Sequence, residues 1–139
     1  MAINFINEDR HPGKIKRKSL KKWLEDAIEK EGKKTGVTNI VFCSDEYLLK
    51  VNREFLKRDY HTDVISFDYT KGEKISGDIL ISIERIEENA RKNNVSYLEE
   101  IKRVMIHGIL HLTGYNDNTK EKRKEMTRME DLYLGIYKD

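Results

Sequence analysis

The run from Val104 to Leu112 is apolar except for His107 and His111, and this pair constrains the chain more than any other feature. On a helix, residues four apart stack on one face, one turn from each other. Two imidazoles in such surroundings need polar partners. Backbone groups or water can supply them, but one metal ion satisfies both rings from the same side. Gly114 can leave the helix through a left-handed turn that a Cβ would disfavour. The chain then doubles back, and Asp117 can bring a carboxylate oxygen to the same ion. Two nitrogens and one oxygen leave the fourth position to water, which is the ligand count of a catalytic zinc site. The expectation is one zinc ion per chain on His107, His111 and Asp117.

The spacing is also that of the zinc proteases with an extended histidine motif, whose general base is a glutamate directly after the first histidine. Gly108 occupies that position here and carries no side chain. A peptidase reading therefore loses its catalytic carboxylate.

A chain of 139 residues is long enough for one domain with a real core, spanning residues 1–139. The formal charge of +2 points to no nucleic-acid partner by itself; only local clusters of charge can. A single cysteine, Cys43, excludes an internal disulfide framework and fits a reducing cytoplasm. It lies in an apolar run and reads as a small core residue. No apolar stretch is long enough for a bilayer, and Met1–Phe5 lacks the pattern of a signal peptide.

Alternation at Ile3 and Phe5 predicts a short first strand. Leu20, Trp23, Leu24, Ala27 and Ile28 recur at helical spacing over roughly Lys16 to Lys30. Lysines and arginines between Lys14 and Lys22 cluster at the start of that helix and read as a solvated face ahead of a phosphate-contacting patch. Gly32 to Gly36 reads as the exit loop. Val37 to Ser44 is β-branched and aromatic and predicts a buried strand. A helix over Glu46–Phe55 follows, capped by Ser44 or Asp45. Lys57 to Asp63 is a polar loop. Val64–Tyr69 and Ile75–Ile83 predict an antiparallel pair of strands, with Gly77 marking a bulge or a close backbone approach. A charged helix reaches Asn93–Asn94. Ser96 and Glu99 form a capping box that opens the histidine helix. Asn118 or Thr119 caps the last helix, whose stripe of Met126, Met129, Leu132, Tyr133 and Ile136 predicts core packing. The fold class is α+β: a small mixed four-stranded sheet covered by about five helices, with a central metal-binding helix.

Three blocks together resemble one family. His107-Gly-Ile-Leu-His111-Leu-Thr-Gly114-Tyr115, Thr62-Asp63-Val64-Ile65-Ser66-Phe67 and Gly77-Asp78-Ile79-Leu80-Ile81 are similar, in order and separation, to the signatures of the YbeY-type endoribonucleases. Val51-Asn52 matches the Leu-Asn that precedes a basic loop in that family. The resemblance covers most of the chain from about Val37. It implies a zinc-dependent, single-strand-specific endoribonuclease of the cytoplasm, with rRNA and the ribosome or its small-subunit proteins as partners. Its role would be maturation of the small-subunit rRNA 3′ end and ribosome quality control. It maps the ligands onto His107, His111 and Asp117, although most members carry histidine at the third position. Leu56 stands where many members have arginine, and His61 and Asp68 stand where proline is common. On this resemblance Arg53, Lys57 and Arg58 are candidates to hold substrate phosphate. Arg58 and Asp78 are candidate helpers of catalysis, Asp78 by orienting a ligand or water. Tyr60 and Tyr115 are candidates to stack unpaired bases. The alternative from another class is a ribosome-assembly factor that binds RNA or protein around a mainly structural metal, a reading that Leu56 favours.

Overall fold

The structure is a computed structural model that describes residues 3–139. Strands β1 (Ile3–Asn7), β2 (Lys34–Cys43), β3 (Val64–Asp68) and β4 (Lys74–Ser82) form one sheet in the order β1-β2-β4-β3. β1, β2 and β4 run parallel, and β3 pairs antiparallel with β4. The sheet is therefore mixed and four-stranded, as the patterning implies. Five helices surround it: α1 (Arg17–Lys30), α2 (Asp45–Phe55), α3 (Ile83–Asn93), α4 (Tyr97–Thr113) and α5 (Lys120–Gly135).

The caps follow the sequence. Ser44, Ser82, Ser96 and Thr119 each accept a hydrogen bond from a first-turn amide of α2, α3, α4 and α5. Helix α1 starts without a side-chain cap or a first-turn carboxylate. Its basic start is spent on the surface: Lys16 pairs with Asp139, and Arg17 lies over the Phe5 ring. β2 begins at Lys34 rather than Val37. Lys34 and Thr35 pair with Lys74 and Ile75 before the register shifts at Gly36, where a Cβ would collide with β4.

Two apolar clusters divide the sheet's faces. Ile40, Phe42, Ile75, Ile79 and Ile81 pack against α1 and α4, with Met126, Met129 and Tyr133 of α5 behind. On the opposite face Cys43, Ile65 and Leu80 pack beneath Leu48 and Val51 of α2. Alternation along β4 assigns its residues to the two sides: Ile79 and Ile81 to the α4 side, Leu80 to the α2 side.

α4 lies close on this sheet. A Cβ at Gly108 would come within 2.7 Å of the Ile79 side chain, and one at Gly77 would strike the Phe67 carbonyl and the Leu112 side chain. Glycines at the facing positions of helix and strand let α4 sit directly over β4. Nine residues of α4 are buried, which makes it central as expected. Among the described residues no helix is long and apolar enough to cross a membrane.

The stripe expected on α5 needs correction. Met126, Met129 and Tyr133 are buried, but Leu132 is 50% exposed and Ile136 41% exposed. Glu130 takes the inward position instead and is buried. Its spacing from Met126 and Tyr133 puts it on their face of the helix.

Candidate metal centre

α4 ends in a Schellman-type turn. Gly114 adopts φ +119°, its N–H reaches the His111 carbonyl at 3.1 Å, and the Tyr115 N–H reaches the Leu110 carbonyl at 3.0 Å. The reversal brings Asp117 back over the histidines. His107 Nε2 and His111 Nε2 lie 3.0 Å apart, and Asp117 Oδ2 lies 3.6 Å from each. These three residues can together hold one metal ion. Tetrahedral zinc with bonds of about 2.0–2.1 Å sets its ligand atoms about 3.3 Å apart, so the donor spacing fits.

The outward nitrogens are committed elsewhere. His111 Nδ1 meets the Tyr115 carbonyl at 3.1 Å, and a carbonyl only accepts, so this nitrogen carries the proton. His107 Nδ1 meets Glu130 Oε2 at 2.6 Å and likewise faces an acceptor. In the neutral rings both Nε2 atoms then present lone pairs to one another and to a carboxylate. Three converging acceptors repel unless a cation lies among them. Burial acts to lower the His107 pKa, but the Glu130 hydrogen bond and charge outweigh it and leave the value raised. Burial and the neighbouring His107 lower the His111 pKa.

Glu130 is itself held. Arg103 Nη1 donates to Glu130 Oε1 at 2.9 Å, and Arg103 Nη2 donates to Asp131 at 2.7 Å. Asp63 adds a further carboxylate beside His107, and burial raises its pKa. Glu31 accepts from the Tyr115 hydroxyl at 2.7 Å and also from the Tyr133 hydroxyl. It thereby ties the Gly114–Asp117 turn to α1 and α5.

The metal trio opens into a cleft between α4, β3 and the loop after α2. Arg58, Tyr60, Asp63, Asp68 and Asp117 line it. Of the candidate phosphate contacts, Arg58 is in this cleft. Arg53 is paired with Asp59 and lies by a separate depression with Asp9 and Lys50. Lys57 turns its amine to the Glu54 carbonyl at 3.3 Å. Leu56 lines the cleft and packs on the α2-side cluster.

Asp78 is elsewhere. Its carboxylate accepts from Asn39 Nδ2 at 2.9 Å on the α2 side of the sheet, so the sheet itself separates it from the histidines. The alternation of β4 dictates this, since Ile79 is the residue that faces α4. Tyr60 is 54% exposed at the cleft, whereas Tyr115 has its ring packed on the core and its hydroxyl on Glu31.

Sequence reasoning missed Glu130, Arg103 and Asp63 as neighbours of the site. For Glu130 a signal existed: a carboxylate at helical spacing among Met126, Met129 and Tyr133 needs a buried partner. Nothing local distinguishes Arg103 from other surface arginines.

The family model for endoribonuclease YbeY matches residues 4–138. A Parabacteroides distasonis protein named endoribonuclease YbeY is 46% identical over 136 residues, covering 98% of this chain and 96% of that relative. A Flavobacterium johnsoniae protein of the same name is 50% identical over 115 residues, covering 83% of each chain. A solution structure of a Thermotoga maritima protein superposes with a TM-score of 0.65 at 30% identity, covering 95% of this chain and 86% of that one.

Proposed function

We propose, since the chain belongs to the endoribonuclease YbeY family, that it hydrolyses phosphodiester bonds of single-stranded RNA at the His107–His111–Asp117 centre. The observation that carries this reading is the convergence of His107 Nε2, His111 Nε2 and Asp117 Oδ2 at the floor of an open cleft. The ion is zinc, one per chain, and when bound it supplies Lewis acidity at the phosphate and lowers the pKa of water. Residues 1–139 act as one catalytic domain in the cytoplasm. The substrate is rRNA at the 3′ end of the small subunit, and the activity serves ribosome maturation and quality control alongside small-subunit proteins.

The chain's own groups set up this chemistry. Glu130 and the Tyr115 carbonyl fix the ring orientations and leave both Nε2 atoms free to bind. Arg58 offers a guanidinium to a phosphate oxygen from the cleft wall. Tyr60 offers an exposed ring to an unpaired base.

A second reading draws on the cleft's charge. Arg58 is the cation among its lining residues, against Asp63, Asp68 and Asp117, and Leu56 adds no charge. That balance favours a ribosome-assembly factor with a mainly structural metal.

One experiment separates the two. Labelled single-stranded RNA is incubated with the wild type and with His111→Ala, and zinc is measured in both. The nuclease reading expects cutting by the zinc-loaded wild type and none by the metal-depleted variant. A folded, zinc-loaded wild type that leaves RNA intact sinks it in favour of the assembly factor. Equal cutting by both proteins assigns the activity to a contaminant.

A further inference from the structure

Among the described residues β3 is an edge strand, bonded to β4 on one side only. The Tyr69 N–H donates to the Ser76 carbonyl at 2.8 Å, and the Ser82 N–H donates to the Asp63 carbonyl at 3.0 Å. With the register Ile65↔Leu80 and Ser66↔Ile79, antiparallel alternation turns the main chain of Ile65 and Phe67 towards β4. The N–H and C=O of Val64, Ser66 and Asp68 therefore point away from the sheet. Natural edges are blunted by charges, proline or a covering segment. This one borders the metal cleft, which Val64, Ser66 and Asp68 line together with both histidines. Val64 has its carbonyl engaged by the Thr62 hydroxyl at 3.4 Å, and the Asp68 side chain accepts from the Thr70 N–H at 2.9 Å.

Ser66 is at the centre of the strand. Its hydroxyl is buried and makes no hydrogen bond with the described residues. A buried hydroxyl without a partner is costly, and a native protein that keeps one calls for an explanation. A rotation about χ1 frees this oxygen for a group that lies against the strand.

We infer that the β3 edge at Ser66 holds the unpaired RNA base beside the scissile phosphate, and so makes the cleft selective for single strands. This rests on the endoribonuclease reading. One residue offers an adjacent donor and acceptor, and each base carries such a pair on its Watson–Crick edge. That edge is engaged in a duplex and free in a single strand. Charge favours a base over a second phosphate as the occupant. Asp68 is on this strand and Asp63 directly precedes it, so the ledge repels phosphate and tolerates a neutral base.

Two substitutions separate the groups. Ser66→Pro deletes the outward N–H while keeping the ladder to β4, since proline is tolerated where the amide points off an edge. Ser66→Ala deletes the hydroxyl alone. Zinc-loaded proteins are titrated with a labelled RNA oligonucleotide, unmodified or abasic at the nucleotide beside the cleaved bond. Dissociation constants come from fluorescence anisotropy, with RNA integrity checked afterwards on a gel. The inference expects Ser66→Pro to weaken binding of the unmodified RNA about tenfold and Ser66→Ala about threefold, at unchanged zinc content. The abasic change should weaken wild-type binding by a factor like that of the proline, and the two together should cost no more than either alone. If the losses multiply, or if both variants bind as the wild type does, the edge does not hold a base. Should those variants bind RNA normally but lose an extended threonine peptide that the wild type binds, the edge takes a peptide strand, and the inference is overturned. If Ser66→Pro does not fold, the same comparison is made with Ser66→Ala against the abasic RNA. A wild type that binds but never cuts refutes the nuclease reading and leaves these binding comparisons readable.

Discussion

Glu130 Oε2 lies 2.6 Å from His107 Nδ1 across the α4–α5 interface, and the same carboxylate takes Arg103 on its other oxygen. α5 contributes no ligand, yet it fixes which nitrogen of His107 faces the site. Removing a partner of this kind typically costs about 10–100-fold in metal affinity. Glu130→Ala is therefore expected to weaken zinc binding by about that range in a competition titration with a chromogenic chelator. Glu130→Gln, whose amide oxygen still accepts the ring N–H, should lose less. Unchanged affinity in the alanine variant would remove Glu130 from the centre's support.

Gly108 is where the zinc proteases carry their general base, and packing explains the absence here. A Cβ at this position would lie 2.7 Å from Ile79, which is fully buried. Neither side can yield without moving α4 off β4. Gly108→Ala is expected to destabilise the fold by about 1–3 kcal/mol, an overpacking cost. Urea denaturation gives the number, and a midpoint at or above that of the wild type would show that α4 has room.

Asp117 supplies the third donor from a turn, 3.6 Å from each histidine nitrogen. Asp117→Ala leaves two ligands and is expected to emerge from purification with little zinc by elemental analysis. Asp117→His restores a donor and is expected to retain the ion. The assignment is wrong if Asp117→Ala and His111→Ala both keep a full complement.

The histidine pair and the glycine turn were legible because helix geometry alone decides them: a spacing of four fixes a shared face, and Gly114 fixes where the helix ends. The strands and caps were legible for the same local reasons. The side of the sheet that Asp78 takes is not legible, because it depends on which face of β4 meets α4, a tertiary fact set by Gly77 and Ile79 opposite Leu112 and Gly108. Arg103 and Asp63 were illegible because their roles exist only after α4 has packed against α5 and β3. The Arg53–Asp59 pairing likewise keeps a promising cation away from the cleft.

Alkaline pH should weaken the fold. Burial pushes the Cys43 thiol up from 9.0 to about 12 and the Tyr97 and Tyr115 hydroxyls up from 10.0 to about 12. Each is an acid whose folded value exceeds its unfolded value. Its contribution is thus fully present below the unfolded pKa and is lost as pH rises towards the folded one. Melting temperature should hold to about pH 8.5 and fall steadily above it, where the unfolded thiol and phenols ionise. Cys43 should also resist a thiol reagent in the folded protein at pH 8 and react at once in urea. A flat melting profile to pH 11 would contradict the raised values of all three groups.

Arg58 is the cation lining the metal cleft, so its effect on RNA should be larger than that of an arginine outside it. Its backbone N–H is fixed to the Asn52 carbonyl at 3.1 Å, and the buried Asn52 side chain holds the Tyr60 carbonyl at 2.8 Å. Arg58 and Tyr60 are therefore carried on the same anchored loop. A cation that contacts one phosphate of a single strand contributes about 0.7 to the slope of log affinity against log salt. Arg58→Ala is expected to weaken RNA binding several-fold at low salt and to flatten that slope by about 0.7. Arg58→Lys should keep the slope while losing the bidentate geometry and some affinity. Arg53→Ala is the control: its guanidinium is paired with Asp59 away from the cleft, so the slope should not move. If Arg53 changes the slope and Arg58 does not, the RNA runs over the outer surface of α2 rather than through the metal cleft.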